Sequence, residues 1–161
     1  MKGWPYKEYP TSWFMVGRSS DIAPGQVVPL EFLGQELVMY RTESGEVNIF
    51  DAFCPHFGAH LGHGGCVVGE TLQCPWHGWK WSLEGRNIEI PFVDSPNRQA
   101  QLKRWHVRER DYLILMWHDS RGRDPWWEWP TTAWVRMCRR PRETARRRPR
   151  SCPLVAMRIA R

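Results

Sequence analysis

Two short segments of this chain each combine one cysteine with one histidine, and their spacing limits how the chain can fold. The first segment is CPH at residues 54–56, and the second is CPWH at residues 74–77, with seventeen residues between them. Thiolate and imidazole are the side chains that hold soft and borderline metal ions in proteins. The sequence therefore predicts two loops that face each other, each with one sulfur and one nitrogen ligand at its tip.

This set of ligands leaves two kinds of metal centre open. Two thiolates and two imidazoles can hold one zinc ion, or a [2Fe–2S] cluster with both cysteines on one iron and both histidines on the other. Zinc fingers commonly pair like with like, as two nearby cysteines followed by two nearby histidines. Because each loop here offers one residue of each type, the pattern favours the two-iron cluster. The predicted ligands are Cys54, His56, Cys74 and His77.

Short apolar runs separated by turn residues predict that the rest of residues 1–130 forms β-strands. Gly34-Gln35 and the ESGE segment at 43–46 supply turns, and no window shows a sustained helical period, so at most one short helix is expected. We therefore expect an all-β antiparallel fold in which the two ligand loops lie between strands. The predicted strands are 12–17, 27–33, 36–41, 47–50 and, in a late hairpin, about 104–109 and 112–117.

Residues 131–161 have a different composition from the rest of the chain. They contain ten arginines and no lysine, glycine or histidine, whereas residues 1–119 carry 11 Lys and Arg against 14 Asp and Glu. One interpretation is a disordered basic arm that could touch nucleic acid or anionic lipid. The other is a segment read out of frame, since out-of-frame translation of GC-rich DNA enriches arginine, proline, alanine and cysteine. The formal charge of +6 thus belongs to the tail and gives no reason to expect a nucleic-acid partner for residues 1–130.

The sequence also bears on the compartment. The start of the chain has no apolar signal-peptide core, and the longest apolar run, LILMW at 113–117, is far too short to span a bilayer. Five cysteines in such a chain favour a reducing compartment, where Cys/His clusters hold metal more often than they form disulfides. We expect a cytoplasmic protein with no membrane span.

The two ligand segments and their flanks resemble a known family. Residues 54–65 (CPHFGAHLGHGG) and 72–91 (LQCPWHGWKWSLEGRNIEIP) look like the N-terminal Rieske domain of the Rieske non-haem iron oxygenases. Within them the chain is most similar to oxygenase components of the ketosteroid-hydroxylase and cholesterol-desaturase type. The resemblance covers about residues 4–128. It implies a Rieske-type β-sandwich with an inserted cluster-binding subdomain at about residues 51–91, and a [2Fe–2S] cluster on the four predicted ligands.

The same resemblance implies partners and a missing part. Complete relatives continue into a catalytic domain that holds a mononuclear Fe(II) with two histidines and one carboxylate. The last histidine of this chain is His118, so we expect an oxygenase α component without its catalytic half. Such a chain would take an electron from a flavin or iron-sulfur reductase and pass it to an oxygenase catalytic domain. Whether it is an enzyme by itself is left open.

Two other functions remain as alternatives. The first is a stand-alone Rieske ferredoxin that feeds a separate oxygenase. The second is a zinc-binding module whose basic arm binds nucleic acid. His60 and His63 are predicted to be loop residues without a ligand role, and Cys66 is predicted to face the sandwich core as a small apolar residue.

Overall fold

The computed structural model describes residues 8–130, and these form an all-β fold. The sequence prediction for the tail at 131–161 lies outside the described residues. Within 8–130 there is no α-helix, and one 3₁₀ turn covers Ser19–Asp21. The fold class predicted from the sequence is confirmed. The strands are β1 (Ser12–Arg18), β2 (Val27–Phe32), β3 (Gln35–Arg41), β4 (Val47–Asp51), β5 (Cys66–Val68), β6 (Thr71–Gln73), β7 (Lys80–Trp81), β8 (Asn87–Glu89), β9 (Val107–Arg110) and β10 (Leu113–His118).

The strands form three antiparallel sheets. Their orders are β1-β10-β9, β2-β3-β4 and β5-β6-β7-β8, so only the first sheet joins strands that are distant in sequence. Leu33 and Gly34 connect β2 to β3 with φ angles of 53° and 71°. Two successive residues with positive φ make the kind of two-residue turn whose twist matches an antiparallel hairpin.

Strand β3 divides the core into two parts because its side chains alternate between the two faces of its sheet. Leu37 and Met39 pack with Ile114 and Met116 of β10. The intervening Val38 and Tyr40 pack on the opposite side, in a second buried cluster that includes both cysteines of the ligand loops. The ligand loops therefore pack on the face of the β2-β3-β4 sheet that carries Val38 and Tyr40.

Arg41, at the end of β3, joins two sheets through its guanidinium group. Its Nη1 and Nη2 donate to the two carboxylate oxygens of Glu109 in β9, at 2.9 and 2.8 Å. The remaining donors reach the backbone carbonyls of Ile22, Gly45 and Ser19. A buried charge is tolerated when it is paired and its donors are satisfied, and both conditions hold here.

The late hairpin begins later than the sequence predicts. The predicted strand at 104–109 starts at Val107, because the preceding segment pairs with β4 instead of β10. Trp105 N–H donates to Ile49 O at 3.0 Å, and Arg104 forms a bridge to Phe50.

Residues 8–130 contain no helix with the length and apolarity needed to cross a lipid bilayer.

Candidate metal centre

The two ligand loops close with the same backbone hydrogen bonds. In each loop the cysteine N–H donates to the carbonyl five residues on, and the residue four positions on donates back to the cysteine carbonyl. The pairs are Cys54 N to Ala59 O (2.9 Å), Gly58 N to Cys54 O (2.8 Å), Cys74 N to Trp79 O (2.9 Å) and Gly78 N to Cys74 O (3.2 Å). The sequence therefore builds one loop conformation twice.

Each ligand loop has a glycine four residues after its cysteine, and the backbone conformation at that position requires glycine. Gly58 and Gly78 have φ angles of 73° and 67°, in the region that side chains rarely adopt. A Cβ on Gly58 would meet open space, whereas a Cβ on Gly78 would lie 2.8 Å from Pro91 Cγ. Pro91, in the segment that follows β8, therefore packs closely against the second loop at Gly78. Among the described residues, the first loop has no such neighbour at Gly58.

The loops place like side chains next to each other. The rings of His56 and His77 lie 4.8 Å apart between centroids, with their planes at 79°. Cys54 and Cys74 are almost fully buried in the same cluster, and Cys74 is near enough to help raise the pKa of the Cys54 thiol. Although each loop contributes one of each type, the folded site is sorted into a sulfur pair and a nitrogen pair.

The Cys54 thiol and the His56 imidazole are both compatible with metal binding. Burial, followed by the neighbouring Cys74, raises the pKa of the Cys54 thiol to about 11. A free thiol there stays protonated at neutral pH, whereas a bound metal would hold it as thiolate. Nδ1 of His56 is buried and has no hydrogen-bond partner. A buried nitrogen without a partner is costly unless it binds something, so this atom fits a metal ligand.

The arrangement of these four side chains fits a two-iron cluster better than a single metal ion. Within residues 8–130, no three His, Cys, Asp or Glu side chains converge where they could hold a single metal ion. A [2Fe–2S] cluster does not need such a group, because each of its irons takes two protein ligands. The sulfur pair and the nitrogen pair could hold one iron each.

Aromatic side chains surround the histidine pair. The indole of Trp79 is buried and stacks on His56, and Phe57 contacts the same ring at 4.4 Å between centroids. Phe57 and Trp76 are largely exposed, and the ring of His77 is exposed between them. One end of the site is therefore open to solvent through His77 and is bordered by apolar surface.

The other residues considered from sequence lie outside this arrangement. Nδ1 of His60 accepts a hydrogen bond from Gly62 N–H at 3.1 Å, and His63 stacks on His60 on the outside of the loop. The prediction for Cys66 is wrong, because its side chain is exposed. Cys66 begins the edge strand β5, and the alternation of that strand turns Val67 toward the core instead.

Trp81 is not among the residues predicted to form the site. Its side chain is completely buried in the cluster that contains Cys54 and Cys74, and its indole nitrogen has no hydrogen-bond partner among the described residues. The signal in the sequence was the second tryptophan two residues after Trp79, but only the strand pairing of β7 shows which way it faces.

This all-β fold with paired Cys/His loops defines a class of protein. Residues 12–111 match the Rieske [2Fe-2S] domain, so the chain belongs to that family. The Rieske-type cofactor predicted from the sequence is confirmed by this match, and membership assigns the chain an electron-transfer role in an oxidoreductase system.

The similar proteins include a desaturase and two monooxygenases. "Cholesterol 7-desaturase nvd" from Bombyx mori is 39% identical over 120 residues, which cover 74% of this chain and 26% of that protein. The "Probable 3-ketosteroid-9-alpha-monooxygenase, oxygenase component" from Rhodococcus rhodochrous is 34% identical, covering 76% and 31%. The crystal structure of dicamba monooxygenase bound to dicamba aligns with a TM-score of 0.63 at 28% identity, covering 71% of this chain and 34% of that one. The chain thus spans about a quarter to a third of the length of these relatives.

Proposed function

We propose that this chain is the electron-transfer domain of a Rieske oxygenase of the sterol or steroid type. Cys54 and Cys74 would bind one iron of its cluster, and His56 and His77 would bind the other. The observation that carries this proposal is the sorting of the site into adjacent thiols and adjacent imidazoles. A single tetrahedral zinc would give no reason for that separation.

The cluster supplies reversible storage of one electron, at potentials of roughly −150 to +300 mV for Rieske centres. The protein residues decide how that electron enters and leaves. His77 provides an exposed edge at which a donor can approach, while Trp79 covers one face of the half-buried His56. The exposed Phe57 and Trp76 give a donor or acceptor an apolar surface to dock on.

The donor and the acceptor are inferred from the relatives. One similar structure is described as the reduced complex between oxygenase and ferredoxin in carbazole 1,9a-dioxygenase, at 25% identity and a TM-score of 0.57. Dicamba monooxygenase has been solved with non-heme iron. We infer that a reductase or ferredoxin delivers the electron to this chain, and that an oxygenase catalytic domain with a mononuclear iron receives it.

Sterol or steroid chemistry is supported by the names of the relatives that are 34–41% identical to this chain. The substrate would bind in a catalytic domain, not in residues 8–130. The chain itself would transfer electrons without hydroxylating a substrate. Its histidines support this division, because His60, His63, His106 and His118 each contact other side chains away from the paired His56 and His77.

Metal analysis combined with electron paramagnetic resonance tests the proposal on the whole chain. Protein purified without oxygen should contain two irons and two acid-labile sulfides per chain. After reduction with dithionite it should give the rhombic signal of a Rieske cluster. A colourless protein with one zinc per chain would instead support the zinc-binding alternative. A two-iron cluster without histidine nitrogen couplings would contradict the proposed ligands.

A further inference from the structure

An open cavity of about 320 Å³ lies at the end of the sandwich where β3 begins and β10 ends. Its lining comes from Gln35, from four consecutive residues at 103–106, and from six of the residues at 117–123. None of the four proposed cluster ligands is part of this lining. The cavity is therefore separate from the candidate metal centre.

Two tryptophans in the wall of the cavity are fixed by hydrogen bonds. Trp105 Nε1 donates to Asp51 Oδ1 at 2.8 Å, and Trp117 Nε1 donates to Arg123 O at 2.9 Å. Both tryptophans are largely buried, so their rings hold the wall in place. Sites for small molecules are usually preformed cavities of about 300–1,000 Å³, and this cavity falls at the lower end of that range.

The charged side chains that line the cavity are mainly cationic. Lys103, Arg104 and Arg123 stand against one carboxylate, that of Asp119. Asp119 already accepts hydrogen bonds from Arg123 Nη2 and from the backbone N–H of Arg121, at 2.8 and 2.7 Å. These bonds, with that from Arg123 the strongest, hold the pKa of Asp119 well below its ordinary value. The one negative charge of the lining is therefore already paired.

Lys103 and His118 retain hydrogen-bonding capacity that the fold does not use. The Lys103 ammonium nitrogen lies 3.9 Å from the centroid of the Trp105 ring, and within residues 8–130 it forms no ion pair with a carboxylate. His118 is 8% exposed and stacks on the same ring, and its Nδ1 has no hydrogen-bond partner among the described residues. Burial lowers the pKa of His118, so at neutral pH its imidazole is uncharged and donates one N–H.

We propose that this cavity binds a small oxyanion, with the Lys103 ammonium as its ionic partner and the His118 imidazole as a neutral hydrogen-bond donor. Phosphate and carboxylate groups are the oxyanions that proteins hold with such donors. A cleft lined by one sign of charge concentrates ions of the opposite sign, and the same lining repels a metal cation. The inference goes beyond electron transfer and does not depend on the cluster ligands.

Titration calorimetry on the whole chain tests the site with three probes: inorganic phosphate, phenyl phosphate and benzoate. The ionic strength is kept at about 0.15 M with sodium chloride, so that exposed charges are equally screened throughout. Phenyl phosphate binding more tightly than inorganic phosphate would identify an organic ligand, and equal or weaker binding would identify the free ion. Binding of benzoate alone would identify a carboxylate. Absence of binding by all three probes would overturn the inference.

A matched pair of charge-removing variants localises the binding. Lys103 is exposed, so Lys103→Met should fold normally, and we expect it to weaken binding about tenfold through loss of a charge-assisted hydrogen bond. Arg110→Met removes the same charge from the far end of β9, outside the cavity lining, and should leave the dissociation constant unchanged. Equal weakening in the two variants would show attraction to the general positive charge of the protein and would overturn the site.

The role of His118 is tested by a variant that keeps its ring. His118→Phe preserves an aromatic side chain against Trp105 and removes both nitrogens. We expect severalfold weaker binding together with no loss of unfolding free energy in urea, because no hydrogen bond to the described residues is lost. Unchanged affinity, or a loss of stability that accompanies the weaker binding, would contradict the assignment of His118 as a donor to the anion.

Discussion

The indole of Trp79 stacks on the imidazole of His56, with ring centroids 4.4 Å apart and planes only 14° from parallel. His77 stands nearly perpendicular to His56 and is exposed. The two histidines of the site are therefore not equivalent. His56 is half-buried with one face covered by a buried aromatic ring, whereas His77 is the more exposed of the two.

Removing the Trp79 ring should make the cluster labile. Trp79→Ala deletes the surface that covers His56 and leaves a cavity, which should cost about 3 kcal/mol of folding free energy. We expect faster bleaching of the visible absorbance in air than in the unaltered chain. Trp79→Phe keeps a ring over His56 and should bleach much more slowly than Trp79→Ala. Equal rates in the two variants would rule out a shielding role.

The three cysteines within residues 8–130 should divide into two groups. Cys54→Ser and Cys74→Ser each remove a buried thiol of the sulfur pair and should abolish assembly of the cluster. Cys66→Ser changes an exposed thiol in the same subdomain and should retain full iron and sulfide. Iron and sulfide analysis of the three purified variants checks this. Loss of iron in Cys66→Ser would show that the proposed ligand set is wrong.

Gly58 and Gly78 form a matched pair for testing how packing around each ligand loop affects the free energy of unfolding. Gly58→Ala forces a side chain into positive φ with open space around it, which should cost about 1–2 kcal/mol. Gly78→Ala has the same backbone cost and adds the clash with Pro91, so it should be the more destabilising change. Urea denaturation of both variants measures the difference. A larger loss for Gly58→Ala would contradict the packing described for the second loop.

The Arg41–Glu109 pair should stabilise the sandwich in a pH-dependent way. Arg41→Met should cost about 3 kcal/mol at pH 7, at the lower end for a buried pair because Glu109 is one-third exposed. The exposed pair of Arg108 and Glu128 offers the control, and Arg108→Met should cost less than about 1 kcal/mol.

The sign of the pH dependence follows from the lowered pKa of the Glu109 carboxyl group. The hydrogen bond from Arg41 lowers the pKa of Glu109 below its ordinary value of 4.5. A carboxylate with a depressed pKa contributes stability that is complete above the unfolded-state pKa and lost as the pH falls through the folded-state pKa. The difference in unfolding free energy between the unaltered chain and Arg41→Met should therefore shrink below about pH 4.5. A difference that is constant down to pH 3 would contradict this mechanism.

Local patterns predicted most of the strands, because apolar alternation and glycine turns act over a few residues. The predicted strands at 27–33, 36–41 and 47–50 differ from β2, β3 and β4 by one residue at an end. The turn before β10 had no such signal, since its positive-φ residues are Asp111 and Tyr112 and not glycine.

The site was predictable in its residue types but not in its geometry. Spacing pointed to Cys54, His56, Cys74 and His77, yet spacing does not tell which ring stacks on which or which histidine is exposed. The short strands β5–β8 escaped prediction because segments of two or three residues carry too little periodicity. The error at Cys66 has the same origin, since a shift of one residue along a strand reverses the face of every side chain.

The pairing of β1 with β10 has a consequence for how this unit is used in larger proteins. Ser12 lies opposite His118, so the polypeptide enters and leaves the sandwich at neighbouring points. A domain whose two ends are adjacent can be joined to, or inserted into, another polypeptide without rearranging its interior. This unit could thus be joined to another polypeptide at one end of its first sheet, where β1 begins and β10 finishes.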